Sequence, residues 1–421
     1  MIRYAWMAAA CLVLLAGGPA ARAGQAPTAE GSVQAMAKSI REFGVLPTNT
    51  AAANKANLQK AIDWAAARGA ALFVEPTDEP YPVDGGLVLK ANASLVGVHG
   101  PVGRGTRHPE KPQPVGSVFR IEDESAPFLT VESATQVRGI QFWYPNQTLT
   151  DPAKIVKYPP TIQVSQAKAV FGVTLSCLTF YGEYMAMDFN APKICEQILF
   201  EHCYGYPLGG EFIRIDRCYD IPRILHCHVN PANQRCFRGD LRREVIDAVV
   251  AARTFTYAIN HTDNAVLIDL FTFGAYGGVY LGPATYGQLT SFNLDCVTVG
   301  IHKLGDSTKN RNWMIAQGSI VANAGKKVED VHPIIIEGEG HTALTDVEAF
   351  SGDNGAVTNV GRSQDYLLVR GDRKLTVSLV NCRMRDYAAA EPITVLNPKA
   401  LIQASVCIDK NETFYNRVPV K

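Results

Sequence analysis

Val173-Thr-Leu-Ser-Cys-Leu-Thr-Phe180 consists of two short runs in which apolar and polar residues alternate, joined at a small polar corner. Alternation with a period of two is typical of a β-strand, because successive side chains point to opposite faces. No Asn-Gly or similar reversing turn occupies the corner, so we expect the chain to bend and continue rather than fold back as a hairpin. The phrase recurs, with substitutions, at 198–206, 291–299, 377–384 and 401–408.

The return of this phrase at intervals of roughly 20 to 30 residues indicates a solenoid, in which each repeat buries its apolar face against its neighbours. No linker rich in Pro, Gly or Ser divides the 421 residues into ordinary compact domains. A solenoid accounts for such a length because it grows along one axis without one large core. The sequence therefore predicts an all-β parallel β-helix.

The first 23 residues have the features of a secretory signal peptide. Arg3 supplies the positive charge, residues 7–16 are apolar, and Ala21-Arg22-Ala23 has the small residues of a cleavage site. No later run of 18 apolar residues occurs, so we expect no membrane span. These features predict a secreted or periplasmic protein.

The charges balance, with 40 basic and 40 acidic residues and a formal net charge of zero. A nucleic-acid-binding protein is therefore not expected, because such a protein needs a basic excess. An acidic substrate would likewise have to be met by local cations rather than by the field of the whole molecule.

Ten cysteines in an exported chain raise the question of disulfides. Six of them are predicted at the same corner of the repeat, where they would stack inside the solenoid as small apolar side chains. Stacked side chains point in parallel, which suits disulfide geometry poorly. A ladder of thiols is favoured over disulfides, although disulfides remain open. The six are Cys177, Cys203, Cys227, Cys296, Cys382 and Cys407.

A helix is predicted near the start of the solenoid, where it would cover the open end of the core. Its stretch is Asn54-Lys-Ala-Asn-Leu-Gln-Lys-Ala-Ile-Asp-Trp-Ala-Ala-Ala-Arg-Gly69, in which Gly69 is a natural stop. The positions at helical spacing are Leu58, Ala61, Ile62 and Ala65.

With the strand phrases that follow it, Val74-Glu-Pro, Tyr81-Pro-Val and Leu95-Val-Gly-Val98, this opening resembles the pectate-lyase superfamily. That group includes pectate lyases, polygalacturonases and rhamnogalacturonases. The resemblance implies a right-handed parallel β-helix with an N-terminal capping helix. It also implies an enzyme that degrades polysaccharides, although one fold supports many reactions.

The predicted organisation has one main domain. A flexible leader over 24–50 follows the signal peptide, and a single β-helix domain occupies 51–410. A helical insertion at about 231–256 interrupts this domain, and insertions in solenoids often wall the binding surface. A polar C-terminal tail over 411–421 completes the chain.

In enzymes of the superfamily the substrate groove lies along the strand that follows the second turn of each coil. Aligning this strand across repeats by its apolar alternation predicts one outward residue per coil. The predicted outward column is Gln163, Ala186, Arg214, Tyr280 and Lys303.

Two pairs of carboxylates flank this column. Glu183 and Glu211 precede it at equal offsets, and Asp188 and Asp216 follow it. Carboxylates stacked about 5 Å apart repel each other, so one of each pair would keep its proton near neutral pH. Such pairs would serve as the acid and base of a hydrolase, or as Ca²⁺ ligands in a lyase.

Two cations beside the carboxylates are candidate bases for β-elimination. Arg214 or Lys303 would take the proton next to a uronate carboxyl that calcium had neutralised. The metal ligands stay open, and Ca²⁺ is the one cofactor expected of such a lyase. The predicted catalytic residues are Glu183, Glu211, Asp188, Asp216, Arg214 and Lys303.

Aromatic residues and one histidine near the groove strand or its loops are candidates for binding sugar rings. They are Tyr280, Tyr276, Trp143, Tyr144 and His228.

Neither reaction carries over from the family residue by residue. The chain has no Asp-Asp pair, its nearest phrase to Gly-His-Gly is Gly340-His-Thr, and the Trp-Ile-Asp-His phrase of pectate lyases is missing. Two main hypotheses therefore stand, with an epimerase or a fructan-type transferase as a further alternative. The first is a secreted enzyme that cleaves polysaccharide by β-elimination or hydrolysis. The second is a non-catalytic β-helix that binds exopolysaccharide or cell-envelope glycan. A homotrimer is a further expectation, since many β-helix proteins trimerise.

Overall fold

The computed structural model describes residues 36–99, 116–236, 241–305, 312–352 and 360–418. Within them, nearly all regular structure is β-strand, and each coil of the chain adds one strand to each of three parallel stacks. The predicted all-β, right-handed parallel β-helix is confirmed.

Stack 1 holds the strands that carry the predicted groove. Met187–Glu201 begins in it, and Phe271–Leu281 and Asn293–Leu304 end in it. Its other strands are Leu87–Leu89, Leu129–Val131, Ile162–Val164, Ile213–Tyr219, Phe255–Asn260, His332–Glu337, Leu367–Val369 and Ile393–Val395.

Stack 2 follows stack 1 in each coil. Its strands are Ala37–Ser39, Ala71–Val74, Ser94–Gly97, Thr135–Arg138, Val170–Ser176, Arg223–Leu225, Ala265–Ile268, Gly287–Thr290, Asn312–Ala322, Gly340–Phe350, Leu375–Val380 and Ala400–Ile408. Stack 3 completes the coil with Tyr81–Pro82, Ser117–Arg120, Ile140–Trp143, Thr179–Tyr181, Tyr204–Gly205, His228–Val229 and Arg383–Met384. Several longer strands of stack 2 continue into it.

A single residue with left-handed backbone turns the chain from stack 2 into stack 3 in coil after coil. This conformation is uncommon outside glycine, because Cβ approaches the following carbonyl. It explains why the corner bends the chain without reversing it, as the repeat phrase predicts. The corner residues are Cys177, His202, His226, Asp269, Ser291, Gln317, Asp346, Asn381 and Val406, with φ between 49° and 56°.

Apolar side chains from all three stacks fill the interior of the coil. Phe142 and Phe180, on successive coils of stack 3, stack with ring centroids 5.2 Å apart. Phe212 meets Phe180 edge-on at 5.7 Å, so a ladder of aromatic rings runs along the axis. All three side chains are fully buried.

The predicted cysteine column is only partly correct. Cys203 and Cys227 occupy neighbouring coils just after the left-handed corner, and Cys382 and Cys407 do the same further along. Cys177 is itself a corner residue, and Cys296 lies at a different corner. Eight cysteines are free thiols: Cys177, Cys195, Cys203, Cys218, Cys227, Cys296, Cys382 and Cys407.

The predicted capping helix runs over Ala51–Ala66. The Thr50 hydroxyl accepts a hydrogen bond from the Ala53 N–H and so caps its first turn. Its apolar face packs against the first strands, and all four residues predicted at helical spacing are buried. Gly69 has a left-handed φ of 61°, as a helix stop requires.

The signal peptide and the first part of the predicted leader lie outside the described residues. The rest of the leader is folded, which corrects the prediction for that part of 24–50. Ala37–Ser39 pairs with Ala71–Val74, and the 3₁₀ helix Ile40–Phe43 follows. Ile40 and Val45 are fully buried. A three-residue strand is too short for alternation to reveal it in the sequence.

The predicted insertion contains the 3₁₀ helix Pro231–Cys236 and the helix Arg243–Ala251. Two further 3₁₀ helices are Pro152–Lys154 and Val328–Asp330. In the predicted tail, Phe414–Arg417 pairs antiparallel with Ala400–Ile408. No helix within the described residues is long and apolar enough to cross a membrane.

Candidate functional site

The outward face of stack 1 is defined by the register of its strands. Asp188 lies opposite Gln163 on one side and Arg214 on the other. Ala258, Tyr280 and His302 continue the column on the next coils. We call the surface along this column, with the side chains beside it, the groove.

The predicted stacking of carboxylates is wrong because the register differs by two residues. Asp188 pairs with Arg214, whereas Asp216 pairs with Asn190 and Asn260. A shift of two residues keeps every side chain on the same face of the sheet, so apolar alternation alone does not exclude it. The structure therefore places a carboxylate beside a guanidinium, where the sequence alignment predicted two carboxylates side by side.

Two members of the predicted column point elsewhere. Ala186 is fully buried. Lys303 lies opposite Leu281 and Ile336, is 2% exposed, and donates from Nζ to the Glu339 carbonyl at 2.7 Å. The predicted alignment of this coil was shifted by one residue, and a shift of one exchanges the two faces.

Arg214 joins two carboxyl groups of the groove. Its Nε and Nη2 donate to the two oxygens of Asp188 at 3.0 and 2.6 Å. Its Nη1 lies 3.7 Å from Oε2 of Glu211, which precedes the same strand. The three side chains are 33%, 13% and 28% exposed, so the cluster is partly withdrawn from water but open to a ligand.

The two carboxyl groups of this cluster have different surroundings. Burial raises the pKa of Glu211, and the charge of Asp188 adds to this, while Arg214 acts in the opposite direction. Asp188 instead accepts a bidentate pair of charge-assisted hydrogen bonds. These hydrogen bonds also raise the pKa of Arg214, so its guanidinium is held in the charged form. The cluster therefore offers one carboxyl group whose pKa is raised by burial and one that is held by two hydrogen bonds from a guanidinium.

A third acidic side chain, Asp216, lies beside the cluster. Asp216 Oδ1 is 3.0 Å from Nδ1 of His261 and 3.9 Å from Nε of Arg217. His261 is 45% exposed. Sequence reasoning missed this histidine because the strand before it, Phe255–Asn260, was not among the aligned segments.

Glu183 is not part of the groove. It is fully buried, and its oxygens accept hydrogen bonds from the Tyr206 N–H at 2.6 Å and from Gln234 Nε2 at 3.1 Å. Burial raises its pKa to about 8. Gln234 belongs to the 3₁₀ helix of the insertion, so Glu183 fixes that segment against the solenoid.

Aromatic residues line the groove beyond Ala258. The ring of Tyr280 lies 5.4 Å from those of Phe255 and His302, and Tyr276 meets Phe255 edge-on at 5.8 Å. Tyr280 and Tyr276 are both half-buried, so the structure places these two predicted sugar-binding residues in the groove.

His302 begins a polar chain that the sequence did not reveal. Its Nε2 is 2.6 Å from Oε1 of Glu337, and Glu337 is held by two hydrogen bonds from Arg370 at 2.8 and 3.2 Å. His302 and Arg370 lower the pKa of Glu337 to about 2. Each residue comes from a different coil, so only the register brings them together.

The other predicted sugar-binding residues lie away from the groove. Tyr144 is buried and its hydroxyl shares a 2.8 Å hydrogen bond with Thr161. Trp143 packs against Tyr181 in stack 3. His228, also in stack 3, stacks on Phe271 with ring centroids 4.2 Å apart.

Calcium stays a prediction. Among the described residues, no group of three or more His, Cys, Asp or Glu side chains is arranged to hold a metal ion. Asp188 and Glu211, which were candidate ligands, both lie against the Arg214 guanidinium.

No protein-family model and no curated protein matches this sequence. Solved structures do match it in shape. DFA-IIIase from Arthrobacter chlorophenolicus A6, without its lid and in complex with GF2, is 9% identical with a TM-score of 0.55, over 90% of this chain and 95% of that one. A point mutant of the same enzyme in complex with DFA-III is 11% identical with a TM-score of 0.56, over 88% and 86% of the two chains.

The Agl-KA catalytic domain is a third similar structure. It is 8% identical with a TM-score of 0.53, over 90% of this chain and 68% of that one. At such identities the likeness concerns the fold. The chain has the right-handed parallel β-helix fold of these structures.

Proposed function

We propose that this protein is a carbohydrate-active β-helix enzyme that hydrolyses glycosidic bonds at the cluster of Asp188, Arg214 and Glu211. The observation that carries the proposal is one guanidinium holding two carboxyl groups in different environments. The likeness in fold to DFA-IIIase and the Agl-KA catalytic domain, which are glycoside hydrolases, supports the substrate class.

Glycoside hydrolysis commonly uses two carboxyl groups with opposite protonation. Glu211, whose pKa is raised, gives its proton to the leaving glycosidic oxygen. Asp188 accepts a proton from the water whose oxygen bonds to the anomeric carbon as the glycosidic bond breaks. Arg214 is the positioning residue, because its two hydrogen bonds fix the Asp188 carboxylate.

The candidate bases for β-elimination are less suited to that reaction. Lys303 is buried behind the groove, with its ammonium group on a backbone carbonyl. Arg214 is held in its charged form by Asp188, so its guanidinium is a poor proton acceptor. These contacts favour hydrolysis over elimination.

The test is incubation of the purified protein with a panel of neutral and acidic polysaccharides, with and without EDTA. Reducing ends and absorbance at 235 nm are followed together. We expect reducing ends without absorbance, lost in Glu211→Gln and retained in Asp372→Asn, whose carboxylate is 89% exposed on the surface. A rise in absorbance at 235 nm would show β-elimination. If EDTA abolished that rise, the calcium hypothesis would be supported instead.

Absence of both products across the panel would favour the non-catalytic, glycan-binding alternative. We propose in addition that the protein is exported and that it forms a homotrimer. Fractionation of cells that express the full chain tests export, and light scattering coupled to gel filtration tests the trimer.

A further inference from the structure

We infer that the groove contains a subsite for an uncharged sugar ring, formed by Tyr280, Asn260 and His302 and floored by Gly282. This inference deepens the proposed function and rests on it, because it names the class of glycan that the same groove binds. Tyr280 lies two coils from Arg214 in the outward column, which corresponds to about 10 Å along the axis.

Gly282 brings two of these side chains together. It follows the strand that carries Tyr280, and a Cβ added to it would meet the Asn260 amide and Cε1 of Tyr280, the latter at 2.8 Å. The amide and the ring edge therefore lie directly over the Gly282 backbone. A side chain at this position would fill the space in which they meet.

The subsite has unused hydrogen-bonding groups. Within the described residues, the Tyr280 hydroxyl and the Asn260 side-chain amide form no hydrogen bond. The Nε2 atom of His302 is hydrogen-bonded to Glu337, so its Nδ1 atom is available to hydrogen-bond a ligand. Together they supply donors and acceptors beside an aromatic ring, and sugar hydroxyls and ring C–H groups require this combination.

The charges of the groove disfavour an acidic sugar. Arg214 is engaged by Asp188 and Glu211, and Arg370 by Glu337. A uronate carboxylate would thus find no unpaired guanidinium among the described groove residues. It would instead meet existing carboxylates, and burying an unpaired charge is costly. A neutral sugar avoids this cost.

Binding without turnover tests the inference. Native gels containing dextran, arabinan or inulin as neutral polymers, and polygalacturonate or alginate as acidic ones, would be run with the Glu211→Gln protein. We expect at least one neutral polymer to retard it and the acidic ones not to. Adding Tyr280→Ala should weaken the neutral binding about tenfold, as expected for loss of an aromatic contact and a hydrogen bond.

The second variant is Gly282→Ala, whose added methyl group would displace the Asn260 and Tyr280 side chains without removing either. This variant should also weaken the binding of the neutral polymer. Phe171→Ala is the matched control, an aromatic side chain 43% exposed in stack 2. Three outcomes would overturn the subsite. The first is salt-sensitive binding of polygalacturonate, and the second is binding of a neutral polymer that Tyr280→Ala and Gly282→Ala leave unchanged. The third is the absence of retardation by any polymer. A different result would separate the two proposals. If both Tyr280→Ala and Gly282→Ala lose binding of the neutral polymer while the native protein hydrolyses nothing, the proposed reaction is refuted and the subsite is supported.

Discussion

Asp188 and Arg214 lie opposite each other on neighbouring strands of stack 1 and are joined by two parallel hydrogen bonds of 2.6 and 3.0 Å. This pairing sets the position of one carboxylate of the proposed catalytic pair. Arg214 also approaches Glu211, so one side chain links both carboxyl groups.

Replacing Arg214 by lysine should reduce kcat about 10- to 100-fold, because lysine keeps the charge but loses the planar fork that orients Asp188. KM should change much less, since the substrate-binding rings are two coils away. Steady-state kinetics on the substrate found in the panel checks this. Circular dichroism of the variant controls for folding. An unchanged kcat would remove Arg214 from the mechanism.

Activity should fall as the pH rises through the pKa of Glu211, because the reaction needs its protonated form. That pKa is raised by burial, so the alkaline limb should lie above the usual range of a glutamate. Measurement of kcat from pH 4 to 9 gives the profile. Glu211→Gln should lower kcat about 10²- to 10⁴-fold. An alkaline limb that persists in the residual activity of this variant would belong to another group.

The stability of the protein should decrease between about pH 4.5 and pH 8 through Glu183. Its pKa is raised to about 8 in the folded protein from its ordinary value of 4.5. In this range the folded state therefore holds a proton that the unfolded state has lost, and rising pH favours unfolding. Urea unfolding at pH 5 and pH 8 measures the difference.

Glu183→Gln should reduce that difference, since an amide does not ionise. Glu329→Gln, at a carboxylate 66% exposed, is the control and should keep it. An equal pH dependence in the two variants would mean that Glu183 is ionised in the folded protein.

Phe180→Ala should destabilise the solenoid by about 3–5 kcal/mol, because it removes a buried ring and leaves a cavity. The ring contacts Phe142 on one coil and Phe212 on another, so neighbouring coils lose packing together. Denaturant unfolding measures the change. Phe171→Ala, at an exposed ring, should stay within about 0.5 kcal/mol of the native protein.

The fold was accessible from the sequence because its two signals are local and repeated. Alternation identifies strands, and the corner phrase fixes where the chain bends, as the left-handed residues at Cys177, His202 and His226 show. The capping helix was equally accessible from the spacing of Leu58 and Ile62. Each of these signals depends only on residues close together in the chain.

The site was only partly accessible, because it depends on register between coils. The position of Arg214 on the outward face was predicted, but its partner Asp188 was aligned two residues away. Lys303 was aligned one residue from its true place, which exchanged it with His302. Nothing in the sequence marks Glu183 as buried, since the segment that covers it lies about 50 residues further along.

The reversed direction of Phe414–Arg417 bears on self-association. A parallel β-helix presents, at its last coil, a row of free backbone groups on which another molecule could add a strand and propagate a filament. Here Ala400–Ile408 is met by a strand running the other way, through Cys407–Tyr415 and Ile408–Phe414. Within the described residues, Phe414–Arg417 therefore occupies part of the edge of Ala400–Ile408 on which a strand of another molecule could pair in parallel.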